Sequence, residues 1–190
     1  QIALTIGSTT RQATYASGTG TSSLVFSYTV QASETDTDGI AVGSLSANGG
    51  TLKDSAGNDL NLTLNSVGST SSVLVDTTAP TMTITAAEVS DGDTSSDGTL
   101  SLTFTSSEAT TTFAEGDITV TNGSISNFAS TSSTVYTATF TPAADGATTI
   151  DVGGNKFVNG MGKANEAATQ FNWTFDGTAP AMTITARSEE

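Results

Sequence analysis

The chain has no cysteine and no histidine. The first absence excludes disulfides, thiolate nucleophiles and cysteine-based zinc sites. The second removes the commonest general base and a common metal ligand. Five lysines and arginines stand against 19 aspartates and glutamates, a net charge of −14. So few scattered cations do not neutralise a phosphate backbone, which excludes nucleic acid as a partner. No apolar run approaches the roughly 18–20 residues that a membrane-spanning helix needs, so direct membrane insertion is not expected. Gln1–Gly7 is strand-like and carries no charged-then-apolar leader, so it reads as a window on a longer chain. Leucine, glutamate, lysine and arginine are scarce, which argues against helices.

Serine and threonine supply 63 of the 190 residues and glycine 19 more, with only three prolines. That excess suits short strands joined by tight turns. The acidity points to a mutually repelling, soluble surface or to divalent cations.

A long repeat organises the chain. Asp76-Thr-Thr-Ala-Pro-Thr-Met-Thr-Ile-Thr-Ala86 recurs 100 residues later as Asp176-Gly-Thr-Ala-Pro-Ala-Met-Thr-Ile-Thr-Ala186, with nine of eleven positions identical. The spacing is the size of one β-sandwich. Proline fixes φ and holds the preceding alanine extended, so Ala79-Pro80 and Ala179-Pro180 read as short junctions. The expected division is domain 1 over residues 1–78, domain 2 over 79–178, and the first strand of a further repeat in 179–190.

Period-2 alternation gives domain 2 its strands. Met82/Ile84/Ala86, Leu100/Leu102/Phe104, Ile118/Val120, Ile125/Phe128, Tyr136/Ala138/Phe140, Ile150/Val152 and Phe171/Trp173/Phe175 make seven. Asp97-Gly98, Asn122-Gly123, Asp145-Gly146 and similar pairs mark the turns. Domain 1 shows Ile2/Leu4/Ile6, Ala13/Tyr15, Leu24/Phe26/Tyr28/Val30, Ile40/Val42/Leu45, Leu60/Leu62/Leu64 and Val73/Val75. The fold class is all-β, with two tandem Ig-like antiparallel β-sandwiches, the first short of its N-terminal strands. The expected cores are Trp173, Phe104, Tyr136, Phe140 and Ile84 in domain 2, and Phe26, Tyr28, Leu4 and Leu62 in domain 1.

Longer stretches carry a family resemblance. In domain 1 these are ATYASGTGTSSLVFSYTVQASETDTDGIAV, LSANGGTLKDSAGND and VLVDTTAPT. In domain 2 they are DGDTSSDGTLSLTFTSSEAT, FAEGDITVTNGSISNFA, YTATFTPAADGATTIDV and FNWTFDGTAPAMTITA. The chain thereby resembles the tandem bacterial Ig-like repeats of large surface adhesins and RTX-type exported proteins. The resemblance implies sandwiches in tandem, often calcium-stabilised, at the bacterial cell surface or outside the cell, and no catalysis. It also implies two further strands ahead of Gln1. One loop departs from the family: the Asp54-Ser-Ala-Gly-Asn58 pattern of domain 1 becomes Asn159-Gly-Met-Gly-Lys163 in domain 2.

Calcium takes six to eight hard oxygens, so alternating aspartates in turns are suitable ligands. Asp91, Asp93 and Asp97 lie within seven residues. In an up-and-down arrangement, Asp145 and Asp176 share their pole. The opposite pole gathers Asp76, Glu108 and the 159–163 loop, where Lys163 can replace a cation by pairing with Glu108 or Asp76. For each cluster the plainer reading is a solvated Asx turn. Glu34, Asp36 and Asp38 read as a polar hairpin tip. Paired carboxylates could serve glycoside hydrolysis, but no aromatic platform flanks them. Lys53, Lys156 and Lys163 are weak candidates for an isopeptide bond, and Trp173 reads as core. The expected function is a structural spacer of a surface adhesin or fibre, with calcium as the ion and neighbouring repeats, in the same or an adjacent chain, as partners. The alternatives are a module that binds a glycan or cell surface, and a filament subunit in which residues 181–186 complete domain 1 of the next chain.

Overall fold

A computed structural model describes residues 1–187. Ser188, Glu189 and Glu190, the end of the expected further repeat, lie outside the described residues. The chain divides into two compact units, Gln1–Thr78 and Ala79 onward.

Unit 1 has six strands among the described residues: β1 (Ile2–Ile6), β2 (Thr9–Ser17), β3 (Val25–Ser27), β4 (Thr35–Asp36), β5 (Ala41–Leu45) and β6 (Val75–Asp76). β1 and β2 form a hairpin in which Ile6 faces Thr9, leaving a two-residue turn. Gly7 there has φ +56°, and a Cβ would sit 2.6 Å from the Thr35 carbonyl oxygen. Only glycine fits both the dihedral and the approach. The main sheet runs β3-β2-β1-β5, and β4 pairs with β6 separately.

The core of unit 1 is thin. Ile6, Ala13 and Val75 are buried. Leu4, Phe26, Tyr28 and Leu62, expected in the core, are only half-buried. One sheet with a two-stranded flap does not enclose the side chains on its inner face. Leu60, Leu62 and Leu64 form no strand: apart from a bridge between Lys53 and Asp59, residues 46–74 are irregular. Alternation alone is insufficient where no neighbouring strand offers a ladder.

Unit 2 is the sandwich. Its strands are β7 (Met82–Ala86), β8 (Thr94–Ser95), β9 (Leu100–Ser106), β10 (Ile118–Thr121), β11 (Gly123–Ser130), β12 (Val135–Pro142), β13 (Gly146–Val152) and β14 (Phe171–Phe175). A 3-10 turn, Glu115–Asp117, precedes β10. The two sheets are β11-β12-β9-β7 and β10-β13-β14-β8, with every neighbour antiparallel except β8 and β14. The chain changes sheet between β10 and β11, at Asn122 with φ +51° and Gly123. A Cβ on Gly123 would lie 2.3 Å from the Phe140 ring, so glycine is needed for the corner to close over the core.

The inward faces meet as the alternation requires. Leu100, Phe104, Phe140, Ile150, Val152 and Trp173 are at most 1 % exposed, and Tyr136 and Ile84 are also buried. Trp173 packs edge-on against Phe140 at 6.1 Å between ring centres, and its indole N–H donates to Ser95 Oγ at 3.1 Å. Phe113 and Phe157, outside any strand, fill one end. The Phe113 ring meets those of Phe104, Phe128, Tyr136 and Phe157, all within 5.7 Å.

After β14 the chain forms no further strand among the described residues. Met182 and Ile184 are 87 % and 88 % exposed.

Candidate functional site

The two loop poles of unit 2 and the acidic turn of unit 1 hold the candidate ligands.

The 91–97 loop does not gather at the end of the sandwich. It lies alongside β14. Gly92 N–H donates to Asn172 O, Thr174 N–H to Asp93 O, and Asp176 N–H to Ser95 O. Asp91 is therefore level with Asn172, while Asp176 is four residues further along, about 13 Å at the rise of a strand. Asp91 Oδ1 accepts the Asn172 N–H at 2.6 Å, and Asp93 Oδ2 accepts Ser90 N–H at 2.7 Å. Asp97 N–H donates to Ser95 Oγ. Asp145 turns to the exit of the unit: Oδ1 accepts Gly177 N–H at 2.7 Å and Oδ2 accepts the Thr178 hydroxyl. These two bonds, the hydroxyl's first, hold its carboxyl below the ordinary carboxylate value. Asp176 Oδ1 accepts Thr178 N–H. The five do not converge as an up-and-down arrangement would have them: Asp91 lies further back along β14, whereas Asp145 and Asp176 are brought to the same exit turn, Asp145 bonding the N–H of Gly177 next to Asp176. The loop runs as a ribbon along β14, and most of these carboxylates are spent on nearby donors.

At the other pole, Glu108 Oε2 accepts Asn159 Nδ2–H at 2.6 Å. Asn159 is buried, and its Oδ1 accepts the N–H groups of Met161 (3.0 Å) and Lys163 (2.9 Å). An amide thus closes the turn that a carboxylate closes elsewhere. Lys163 is exposed. Asp76 belongs to unit 1, where it pairs with Thr35 across β4 and β6 and accepts Thr78 N–H at 2.9 Å.

Among the described residues no three acidic side chains come together in a way that holds a metal ion. The calcium that the resemblance implies would therefore find no cluster of three carboxylates among the described residues.

Two features have roles that the sequence did not signal. Asn165, 4 % exposed, uses its full hydrogen-bonding capacity. Its Oδ1 accepts Lys156 and Phe157 N–H at 2.7 and 2.9 Å, and its Nδ2 donates to Gly153 O and Glu166 O at 2.9 and 2.7 Å. It is the hub of the 153–168 crossover, and nothing in its neighbours distinguishes it from a loop asparagine. In unit 1, Glu34 and Asp36 are buried at 6 % and 4 % exposure, so the expected polar hairpin tip is a correction. Glu34 meets Arg11 Nε at 2.5 Å, Tyr28 OH at 2.7 Å and Gln31 N–H at 2.7 Å. The Tyr28 hydroxyl, then Gln31 and Arg11, lower its carboxyl pKa against the opposing effect of burial. Asp36 accepts Gly7 and Gly39 N–H at 2.7 and 2.8 Å, which lowers it likewise. Folding brings these donors together across up to 29 residues of chain.

The lysines considered for an isopeptide bond are all exposed, and Lys53 pairs with Asp59 at 2.5 Å. The exposed aromatic among the described residues is Tyr15. No helix among them is long and apolar enough to cross a membrane.

No curated protein and no solved structure matches the chain. A family model described as a bacterial Ig-like domain matches residues 76–175, which span unit 2 from the last residue of β6 to the end of β14. With more than half its length covered by that model and its strands folded as a two-sheet sandwich, the chain belongs to the bacterial Ig-like domain family.

Proposed function

We propose that the chain is a spacer segment of a bacterial surface adhesin or extracellular fibre, working next to further repeats in the same or an adjacent chain. The observation that carries this reading is the duplicated junction. Asp-x-Thr-Ala-Pro-x-Met-Thr-Ile-Thr-Ala opens unit 2 and recurs at its exit. In both copies the threonine two residues on donates its N–H to the aspartate Oδ1, at 2.9 and 3.2 Å. A chain that begins and ends a unit with the same turn is suited to stacking units, and reach then scales with their number. The net charge of −14 keeps neighbouring rods apart.

Calcium enters this reading only through the resemblance: an ion that bound the ordered state alone would stiffen such a rod, but it would have to bind through oxygens other than clustered carboxylates. That part of the proposal rests on the resemblance and is separable from the rest. A glycan-binding module is the competing class. Its rings would have to be exposed, and those of unit 2 point inward, with Phe128 and Phe175 half-covered.

Single-molecule stretching tests the spacer reading. Unit 2 is expected to unfold in one event with a length gain on the order of 30 nm, since about 95 residues extend at roughly 3.5 Å each. Gradual extension with no discrete event overturns it. A glycan array provides the second arm: specific binding that is lost in Tyr15→Ala would favour the module instead.

A further inference from the structure

Three asparagines stand in the pattern Asn-x-Ser/Thr, the acceptor pattern for N-linked oligosaccharides: Asn61-Leu-Thr63, Asn122-Gly-Ser124 and Asn172-Trp-Thr174. The pattern alone does not choose among them. The fold does, because transfer needs an amide nitrogen that is exposed and unengaged, on a segment free to bend into an enzyme.

Asn172 is held inside β14. It faces Thr149 of β13 in the ladder, and its N–H donates to Asp91 Oδ1 at 2.6 Å. Its Nδ2 donates to Gln170 O at 3.1 Å, and Thr174 is paired on both sides, with Ala147 and Thr94. Asn122 holds the corner between the two sheets of unit 2. Its Nδ2 donates to Ala144 O at 2.8 Å, its carbonyl accepts Ala143 N–H at 3.0 Å, and Ser124 is paired with Thr141. In both patterns the acceptor nitrogen is engaged and the segment is fixed by a strand ladder.

Asn61 differs in each respect. It lies in the irregular 46–74 segment of unit 1, and both Asn61 and Thr63 are exposed. Asn61 Oδ1 accepts Thr63 N–H at 3.0 Å, an Asx turn that draws the threonine toward the amide. That bond uses the oxygen. Among the described residues neither Asn61 Nδ2 nor the Thr63 hydroxyl has a hydrogen-bond partner. Asp59 places a carboxylate two residues ahead of Asn61, where the other two patterns have Val120 and Gln170.

We propose that Asn61 is an N-glycosylation site, and the one of the three patterns that the folded chain presents. The donor is an oligosaccharide carried on a lipid pyrophosphate. Asn61 Nδ2 attacks C1 of its first sugar. The C1–O bond to the pyrophosphate breaks, its electron pair leaves with the lipid pyrophosphate, and one amide proton passes to base. Nothing is oxidised or reduced. Asn61 lines a groove with Val42, Gly43 and Ser44 of β5, an edge strand paired with β1 alone. A bulky, solubilising group at that place blocks the open edge against pairing with other chains. The inference rests on the reading of the chain as a segment that works outside the cell, where such acceptors are found.

The test uses the purified whole chain and a polyprenyl-pyrophosphate oligosaccharide with two oligosaccharyltransferases. One is a bacterial enzyme that reads an acidic residue two positions before the asparagine; the other accepts Asn-x-Thr without it. Mass mapping of peptides reads the site. Both enzymes are expected to modify Asn61. The second isolates the effect of the fold: it should modify Asn61 at least about tenfold faster than Asn122 or Asn172, whose segments must first open. Short synthetic peptides spanning the three patterns should react at rates closer to one another. Asn61→Gln and Thr63→Ala are expected to abolish modification at residue 61, and Thr63→Ser to retain it. An Asn61 that either enzyme leaves unmodified in the folded chain overturns the proposal, and so does modification of Asn122 or Asn172 at the rate of Asn61. Stretching of unit 2 does not involve Asn61, so the spacer reading and this inference fail separately.

Discussion

The same turn closes a loop in each unit. In unit 1, Asp54 Oδ1 accepts the N–H groups of Ala56 and Asn58 at 2.9 and 2.8 Å. In unit 2, Asn159 Oδ1 accepts those of Met161 and Lys163 at 3.0 and 2.9 Å. Backbone bonds close both turns identically: Gly57 N–H to Asp54 O and Gly162 N–H to Asn159 O, with Asp54 N–H to Asn58 O and Asn159 N–H to Lys163 O. Both glycines have positive φ, +90° and +80°. The interiors differ. Unit 2 closes two sheets over seven apolar side chains that are at most 1 % exposed. Unit 1 has three buried apolar residues and anchors its flap through two buried carboxylates. The buried polar side chains of unit 2 are serine, threonine and asparagine, all uncharged. Similar composition and an identical turn are therefore compatible with two different modes of stabilisation. One relies on apolar burial, the other on local charge and hydrogen bonding.

The comparison breaks most sharply at Trp173. Trp173→Ala removes the largest side chain of the unit 2 core, at 1 % exposure. A loss of about 3–5 kcal/mol is expected in urea unfolding of unit 2 followed by circular dichroism. The unit 1 transition should stay in place. A loss under about 1 kcal/mol would mean that the ring contributes little to packing.

Asn165→Ala probes the neutral polar mode. The backbone N–H groups of Lys156 and Phe157 and the carbonyls of Gly153 and Glu166 lose their partner. Unsatisfied buried groups cost about 1–3 kcal/mol, so the unit 2 midpoint should fall by less than in Trp173→Ala. Asn165→Asp keeps the acceptor but turns a carboxylate oxygen toward the carbonyls of Gly153 and Glu166, so near neutral pH it should fall at least as far as alanine.

Acid should separate the two modes. Glu34 and Asp36 have folded-state pKa values below their ordinary 4.5 and 3.8. A depressed folded value means that the unfolded state binds protons first as pH falls. Their contribution is complete above about pH 5 and is lost progressively as pH drops through 4.5 and 3.8 toward the lower folded values. Unit 1 should therefore unfold on acidification before unit 2. Trp173, the single tryptophan, reports unit 2 by fluorescence, and the part of the near-ultraviolet tyrosine signal that is lost in Tyr15→Phe, which excludes Tyr136 of unit 2, reports unit 1. Glu34→Gln should flatten the pH dependence of the tyrosine signal. Simultaneous loss of both signals in wild type would reject the distinction.

How much of this was legible in the sequence differs between the units for physical reasons. β9, β12, β13 and β14 are readable because each buries alternate side chains, so sequence period and structure coincide. β8 escapes because Thr94 and Ser95 pair through the backbone and carry no apolar pattern. Phe113 and Phe157 escape for a related reason: they enter the core from loops, where no period applies. Leu60, Leu62 and Leu64 show the converse, an alternation with no adjacent strand to use it. The acidic residues were visible, but their roles were not. Whether an aspartate coordinates, caps or pairs depends on which donors the fold brings to it, as Gly7 is brought to Asp36. The duplicated junction was fully legible, and the structure adds that both copies form the same Asx turn.

The smallest expected effect concerns the ion. Because no three acidic side chains come together among the described residues, millimolar calcium or EDTA should move the unit 2 midpoint by no more than about 1 °C, well under the 2–8 °C that 1 kcal/mol produces in domains of this size range. Asn159→Asp sharpens the test by giving unit 2 the residue that unit 1 has at Asp54. The new carboxylate keeps the bonds from Met161 and Lys163 N–H. Its second oxygen then faces Glu108, where Asn159 Nδ2 now donates at 2.6 Å. Two carboxylates at that distance repel, so the variant should melt below wild type without added metal. Calcium should then recover part of the loss, since it relieves the repulsion and binds the folded state. A wild-type shift larger than that of Asn159→Asp would mean that unit 2 already holds a cation through oxygens other than clustered carboxylates. A variant insensitive to calcium would mean that Asp54-type turns contribute geometry and no ligand.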